Sequence, residues 1–180
     1  MESTGFLNPR VSVRSSHIRE GMTVADFGVG SGFFTREAAR VVGESGKVYA
    51  IDIDSALLAR LKSYAEDEGL FNIGYVRGNI EEKYGAGVPD QSMDVVLIVN
   101  TLFQVEDKNG LVEEAWRVVA PGGRAVVIDW KDSFDNMGPH PSHVVSKDTA
   151  RSLFERGGFT YIDDVPAGDF HYGVILRKKN

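Results

Sequence analysis

This 180-residue chain contains no cysteine, which excludes disulfide bridges, a thiolate nucleophile and thiolate metal ligands. It has no apolar run approaching the roughly 18 residues of a membrane span, and residues 1–10 lack the apolar stretch of a secretory signal. It also lacks a basic stripe, since the net charge is −6 and the one basic cluster is Arg177–Lys179. This composition argues against nucleic acid as a partner. We therefore expect a cytoplasmic protein.

Residues 1–180 are expected to form one domain with a short N-terminal extension of about 20 residues, because this length suffices for a core. Strand-like and helix-like segments alternate, which is typical of an α/β fold with a mostly parallel sheet. The predicted strands are Thr23–Phe27, Lys47–Asp52, Ile73–Val76, Met93–Val99 and Arg124–Asp129. The predicted helices are Arg10–Ile18, Phe33–Val42, Ser55–Glu68, Lys108–Ala120 and Ser146–Arg156. A short link joins two further extended runs, which should pair as an antiparallel hairpin: Tyr161–Val165 and Phe170–Arg177.

The segment Val24–Phe33 is the most informative in the chain, because it combines an apolar strand, a glycine turn and the start of a helix. Gly28, Gly30 and Gly32 remove side chains from the turn, so a ligand can approach its backbone, including that of Val29. Asp26 lies at the end of the strand. A carboxylate there repels a diphosphate and suits a cationic ligand. This favours S-adenosylmethionine, which carries an ammonium and a sulfonium, over a dinucleotide.

Polar residues at the ends of neighbouring strands extend this candidate site. Asp52 ends the second strand, where a carboxylate can accept two hydrogen bonds from a ribose diol, and Ile53 would offer an apolar wall to adenine. Asn79 and the backbone of Ile80 could bond the adenine edge, and Asn100 ends the fourth strand near the glycine turn. The alternatives are a helix cap for Asp52 or Asn100 and an ordinary turn for Asn79.

With these motifs the chain resembles the class I S-adenosylmethionine-dependent methyltransferases, in the broad group that includes quinone-biosynthesis enzymes. The similarity covers residues 15–177 and includes Asp26-Phe-Gly-Val-Gly-Ser-Gly32, Tyr49-Ala-Ile-Asp52, Met93–Val99 and Trp116–Ile128. It implies a Rossmann-like three-layer sandwich whose seven-stranded sheet has the order 3-2-1-4-5-7-6, with strand 7 antiparallel. Asn79 stands where the family usually has aspartate, and it keeps an acceptor for adenine.

The catalytic residues are less clearly encoded. Methyl transfer from a sulfonium is a direct displacement, so a general base is needed only when the acceptor must lose a proton. Weak candidates are His140 and His143 on the long loop 131–145, His171 on the last strand, and Asp129 at the end of the fifth strand. Each histidine could equally be solvated or simply hydrogen-bonded. Two histidines in a proline-containing loop rarely suffice for a metal, so none is expected.

Three residues are candidates for contact with the acceptor: His17 near a short N-terminal helix, Trp130 after the fifth strand, and His140. Each of these residues could instead lie at the surface or pack within the protein without contacting an acceptor. Little chain is available to enclose a large substrate. We therefore predict a small or partly exposed acceptor, contacted by the 131–145 loop and the N-terminal segment.

The sequence as a whole predicts a methyltransferase that uses S-adenosylmethionine, yields S-adenosylhomocysteine and acts on a small-molecule acceptor. Three alternatives stay open at this point: a module that binds the cofactor without catalysis, a methyltransferase acting on RNA or protein, and a nicotinamide-dependent oxidoreductase. The accepting atom and the oligomeric state are not encoded in any pattern that we recognise.

Overall fold

The computed structural model describes residues 5–135 and 137–179. Along the chain, the helices are α1 Pro9–Ser15, α2 Phe33–Val42, α3 Ser55–Asp67, α4 Lys108–Val118 and α5 Lys147–Arg156, with a 3-10 turn at Pro141–His143. The strands are β1 Thr23–Phe27, β2 Lys47–Asp52, β3 Ile73–Arg77, β4 Met93–Val99, β5 Val119–Trp130, β6 Phe159–Asp164 and β7 His171–Lys178. Residues 1–4, which begin the expected extension, lie outside the described residues.

The strands form one seven-stranded sheet in the order β3-β2-β1-β4-β5-β7-β6, which confirms the predicted fold. Strands β1 to β5 run parallel, and β7 pairs antiparallel with both β5 and β6. The strand order reverses between β1 and β4. The chain first places β2 and β3 on one side of β1 and then crosses over to place β4 on the other side. In open α/β sheets such a reversal leaves a crevice at the carboxyl ends of the strands, where ligands bind.

Two apolar layers cover the sheet. On one face, Phe27, Ile98 and Leu176 belong to a buried cluster that also includes residues of α4 and α5. On the other face, Val24 and Leu97 belong to a second cluster with residues of α1, α2 and α3. The central strands are apolar on both faces because both faces are covered. Among the described residues, no helix combines the length and apolar character that crossing a bilayer would require.

Several predicted bounds differ from the structure by one to three residues, and the largest error concerns the junction of α4 and β5. Helix α4 ends at Val118 rather than Ala120, and β5 begins at Val119 rather than Arg124. Val119 pairs with Met93, and the ladder resumes at Arg124 opposite Val95 after a register shift. Pro121–Gly123 therefore forms an irregularity within a strand rather than a turn before it.

A buried ion pair secures α4 against the segment that follows β3. The Glu114 side chain is fully buried, and Arg117 donates to both of its carboxylate oxygens, at 2.6 and 2.8 Å. The same oxygens accept the N–H groups of Tyr84 and Ala86, each at 2.9 Å. Burial opposes ionisation, but the guanidinium and the two N–H groups hold the pKa of Glu114 below its usual value. This carboxylate thus joins two segments 30 residues apart.

Replacing Glu114 by alanine should destabilise the protein by about 3–5 kcal/mol, because Arg117 and two backbone N–H groups lose their partner. Chemical denaturation followed by circular dichroism measures the effect. The matched control is Glu113→Ala on the exposed side of the same helix, which should change stability by no more than about 0.5 kcal/mol. Equal losses in the two variants would contradict the structural role of the Glu114 cluster.

Candidate cofactor and acceptor site

Two glycines of the turn after β1, Gly28 and Gly30, line the cavity without a side chain. Gly28 has φ +82°, and a Cβ there would lie 2.7 Å from the Thr101 hydroxyl oxygen. Gly30 has φ +50°, and nothing lies within 4 Å of the position that its Cβ would take. Gly32 precedes α2 as its N-cap. Glycine is thus required at Gly28 by contact, whereas at Gly30 it leaves room for a ligand.

The Asp26 carboxylate lies buried at the end of β1, with 1% of the residue exposed. One of its oxygens, Oδ2, accepts a hydrogen bond from the Thr35 hydroxyl at 2.5 Å. The other, Oδ1, has no partner among the described residues. Burial raises the pKa of Asp26 to about 7, an effect that the Thr35 hydrogen bond reduces and the nearby charge of Asp52 increases. An unpaired buried carboxylate oxygen in a ligand-sized space suits a cationic group.

Asp52 connects the end of β2 to the glycine turn. Its carboxylate accepts the N–H of Val29 at 3.0 Å and the N–H of Asp54 at 2.9 Å. These two bonds fix the carboxylate at the carboxyl end of the strand and leave it half-exposed. Ile53, the next residue, is 64% exposed and forms part of the cavity wall. The carboxylate retains further acceptor capacity for a ligand.

At the adenine end predicted from the sequence, the Asn79 side chain already makes hydrogen bonds within its own turn. Asn79 Oδ1 accepts the N–H of Glu81 at 3.1 Å, and its Nδ2 donates to Glu82 at 2.9 Å. Ile80 is buried and lines the cavity. Asn79 therefore stabilises its own turn, as the alternative interpretation expected, while it still lines the cavity. Its role in adenine binding stays a prediction.

Asn100 follows β4 in a left-handed conformation, with φ +52°. Its N–H donates to the Ile128 carbonyl at 2.8 Å, which attaches it to β5. Its side-chain oxygen is buried without a partner among the described residues. A non-glycine residue at positive φ is strained, and such residues cluster at functional sites. Asn100 and Asp26 therefore each present one unsatisfied oxygen at the same cavity.

These residues surround a cavity of about 690 Å³, a size typical of small-molecule sites. It runs from β3 across the β1–β4 reversal to the ends of β5 and β7. Of the residues predicted from sequence, eleven line it: Asp26, Gly28, Val29, Gly30, Asp52, Ile53, Asn79, Ile80, Asn100, Trp130 and His171.

The end of the cavity nearest β5 and β7 is formed by residues distant in sequence. Trp130 ends β5, and His171 begins β7 directly opposite it in the antiparallel ladder. Their rings lie 4.2 Å apart between centroids. Phe6, Leu7 and Pro9 line the same cavity. We call this set of five residues the acceptor end.

The remaining candidates lie elsewhere. His17 is exposed at the turn after α1, and His140 and His143 are exposed at the 3-10 turn, where the His140 ring bonds Ser142. Asp129 is buried on the opposite face of the sheet, where it accepts N–H groups of Trp130 and Phe103; burial raises its pKa to about 6. No described residue of the loop 131–145 lines the cavity, and the described residues include no cluster that could hold a metal ion.

Sequence reasoning missed several residues of the cavity wall, chiefly Phe6, Leu7, Phe34, Thr101 and Gln104. Thr101 had a recoverable signal, because it directly follows Asn100 at a strand end. The N-terminal segment was expected to contact the acceptor, but no signal singled out Phe6 or Leu7, since their position depends on contacts with a segment more than 150 residues away. Phe6 packs on Phe170 at 5.4 Å, and the Gly5 carbonyl accepts the Asp169 N–H at 3.0 Å.

The fold and the cavity define a Rossmann-like α/β domain that binds a ligand at its topological switch point. A family model described as "Methyltransferase domain" matches residues 25–127, more than half of the chain. The chain belongs to the methyltransferase domain family. The resemblance to class I S-adenosylmethionine-dependent methyltransferases is confirmed, and S-adenosylmethionine is the cofactor of this class.

Individual relatives agree with the family. The chain is 35% identical over 122 residues to the ubiquinone/menaquinone biosynthesis C-methyltransferase UbiE of Psychromonas ingrahamii, covering 67% of this chain and 47% of that protein. It is 37% identical over 122 residues to UbiE of Legionella pneumophila strain Lens, covering 67% and 48%. The chain thus spans about half the length of these curated relatives. A solved structure of a SAM-dependent methyltransferase from Aquifex aeolicus superposes with a TM-score of 0.86 at 28% identity, covering 96% of this chain and 90% of that one.

The residues present fit this cofactor. The cavity has adequate volume, the turn leaves open space at Gly30, and a buried carboxylate oxygen lacks a partner among the described residues. All these features lie where the sheet order reverses.

If Asp26 contacts the cofactor, its raised pKa predicts that cofactor binding depends on pH. We expect the affinity for S-adenosylhomocysteine to increase between about pH 6 and pH 8, because Asp26 ionises near pH 7 and the ligand's ammonium favours the ionised form. Binding below pH 7 should release a proton, which calorimetry in buffers of different ionisation enthalpy detects.

Asp26→Asn should abolish this pH dependence and weaken binding at pH 8 by about 1.5–3 kcal/mol, or roughly 10- to 150-fold. Asp129→Asn is the matched control, because Asp129 is also a buried carboxyl with a raised pKa but lies outside the cavity wall. A wild-type affinity that does not change across this pH range would refute the role of Asp26.

Proposed function

We propose that this chain transfers a methyl group from S-adenosylmethionine to an uncharged small-molecule acceptor bound at the acceptor end of the cavity. The observation that carries the proposal is the Oδ1 of buried Asp26, which has no partner among the described residues and lies next to a turn that is open at Gly30. The cavity continues from this turn to Trp130 and His171, which leaves room for a second molecule. The UbiE relatives are named as C-methyltransferases of quinone biosynthesis, which supports a small acceptor.

The proposed contacts follow the strand ends. Asp26 would face the ammonium of the cofactor, with the Thr35 hydroxyl holding the carboxylate in place. Asp52 would accept hydrogen bonds from the ribose diol, Ile53 and Ile80 would flank the adenine, and the Asn100 oxygen would accept a hydrogen bond near the glycine turn. Asn79 would contribute its remaining acceptor capacity at the adenine edge.

When bound, S-adenosylmethionine supplies a methyl group already activated by its positive sulfur. The protein's task is then to orient the acceptor and to exclude water. The apolar side chains of Phe6, Leu7 and Trp130 would exclude water at the acceptor end. His171 is the one histidine among the four that lines the cavity, so it replaces His17 and His140 as the histidine proposed to contact the acceptor.

The chemistry of the cavity favours a small molecule over RNA. Its ionisable side chains are Asp26, Asp52, Glu81 and His171, and the part of the chain that the structure describes contributes no lysine or arginine to its wall. Phosphate groups would therefore meet carboxylates without a compensating cation. A cytoplasmic location, expected from the sequence, stays a prediction.

Incubating the protein with methyl-tritiated S-adenosylmethionine and a deproteinised metabolite extract tests the proposed activity. We expect tritium in a small-molecule product, and excess S-adenosylhomocysteine should suppress it by competing for the same cavity. Tight binding of S-adenosylhomocysteine with no label transferred would instead support a binding module, and label in added RNA or protein would refute a small acceptor.

The proposed ribose contact predicts that Asp52→Asn weakens S-adenosylhomocysteine binding by about 1–3 kcal/mol, because it removes charge-assisted hydrogen bonds. Asparagine keeps an oxygen that can accept the Val29 N–H, so the turn should stay intact. Isothermal titration calorimetry measures the change, and Asp54→Asn is the control, because Asp54 is exposed and asparagine also caps helices well. Equal dissociation constants for Asp52→Asn and the wild type would argue against this contact.

A further inference from the structure

His171 combines deep burial with unsatisfied polar atoms. Only 4% of the residue is exposed, and neither ring nitrogen has a hydrogen-bond partner among the described residues. Burial, with a smaller effect from the positive charge of Lys131, lowers the pKa of this imidazole to about 4. At neutral pH the ring is therefore uncharged, with one nitrogen that donates and one that accepts.

A purely structural role does not explain a histidine at this position. A buried polar group without a partner is destabilising, and phenylalanine would fill the same flat space without that cost. The ring stacks on Trp130 at 4.2 Å and lines the cavity. A molecule at the acceptor end is therefore the candidate partner for these nitrogens.

The wall around His171 is flat and apolar. Trp130 forms one side, and Phe6, 69% exposed, lines the cavity from the N-terminal segment. Behind them, Phe170 packs on Phe6 and on Phe134, at centroid distances of 5.4 and 4.9 Å. Aromatic side chains in this arrangement favour a planar apolar ligand, which can stack offset or edge to face.

The described lining of the cavity offers no cation to pair with an anionic acceptor. Asp26, Asp52 and Glu81 line it, and none of its described residues is a lysine or an arginine. The charge of Lys131 influences His171, but Lys131 is exposed and donates its Nζ to the Gly168 carbonyl at 3.3 Å. A carboxylate or phosphate beside Trp130 would be desolvated with no cation to pair with it.

We propose that His171 is the group that binds the methyl acceptor, and that its free ring nitrogen accepts a hydrogen bond from a hydroxyl group on an uncharged, planar molecule. This inference rests on the proposed function, since it assigns the acceptor to the space that the cofactor leaves. His171 selects the acceptor and orients it, while the lack of a cation among the described residues of the acceptor end disfavours anions that have the same shape.

The test measures binding rather than turnover. Protein labelled with ¹⁵N-histidine and saturated with S-adenosylhomocysteine is titrated with phenol, toluene and benzoate, and the imidazole resonances are recorded. The chain has four histidines, which His→Phe variants assign. We expect phenol to shift the His171 nitrogens while His17, His140 and His143 stay unchanged. Toluene lacks the hydroxyl and benzoate carries a charge, so neither should shift the His171 nitrogens comparably.

The matched variant is His171→Phe, which retains a flat ring against Trp130 and removes both nitrogens. We expect it to weaken phenol binding by about fivefold, the loss of one hydrogen bond, with unchanged affinity for S-adenosylhomocysteine. Its melting temperature should equal or exceed that of the wild type, because a buried unsatisfied group is removed. His140→Phe is the control and should change none of these three quantities.

The outcomes separate this inference from the proposed function. If S-adenosylhomocysteine binds but phenol leaves His171 unshifted, the assignment of His171 is overturned and the cofactor assignment stands. Benzoate binding as tightly as phenol, or His171→Phe melting well below the wild type with phenol affinity retained, would also overturn it. Failure of S-adenosylhomocysteine to bind would overturn both proposals.

Discussion

The arrangement of this site depends on the burial of the Asp26 carboxylate at the end of a central strand. Removing a carboxylate from water is costly unless a partner compensates it, and here the Thr35 hydroxyl satisfies only one oxygen. The backbone must also turn sharply at that point. Gly28 contacts the Thr101 side chain too closely to carry a Cβ, and the Val29 N–H bonds Asp52. The turn is therefore fixed by contacts with residues at the ends of two neighbouring strands, β2 and β4, and these contacts do not involve a ligand.

The sheet order gives the cavity two electrostatically different ends. Toward β2 and β3 the wall carries Asp52 and Glu81, together with the unpaired oxygen of Asp26 near the middle. Toward β5 and β7 it carries aromatic rings and an imidazole that is uncharged at neutral pH. This difference between the two ends supports the proposal of a cationic cofactor at the first end and an uncharged acceptor at the second.

Sequence reasoning predicted most of the fold and the features that are local in the chain. The glycine turn, Asp26 and Asp52 were recognisable because each lies within a short motif at a strand end. The β6–β7 hairpin was recognisable because its link is short. The boundary at Val119 was wrong because its strand state depends on pairing with Met93, which no local pattern encodes. The pairing of Trp130 with His171 is likewise tertiary, so nothing in the sequence distinguished His171 from His140 and His143.

The antiparallel β6–β7 hairpin also positions the N-terminal segment. Its connecting segment, residues 165–170, holds the N-terminal segment in place: Ser12 Oγ donates to the Pro166 carbonyl at 2.7 Å, and the Asp169 N–H donates to the Gly5 carbonyl at 3.0 Å. The segment ends with Phe170, which packs on Phe6, and it is followed by His171, which lines the cavity. This short segment thereby positions both Phe6 and His171 at the acceptor end.

A change in this connecting segment would alter which acceptor fits. It would leave the glycine turn and its carboxylates unaffected, because the two ends of the cavity are built on different strands. Acceptor preference can therefore vary within this fold independently of the cofactor end.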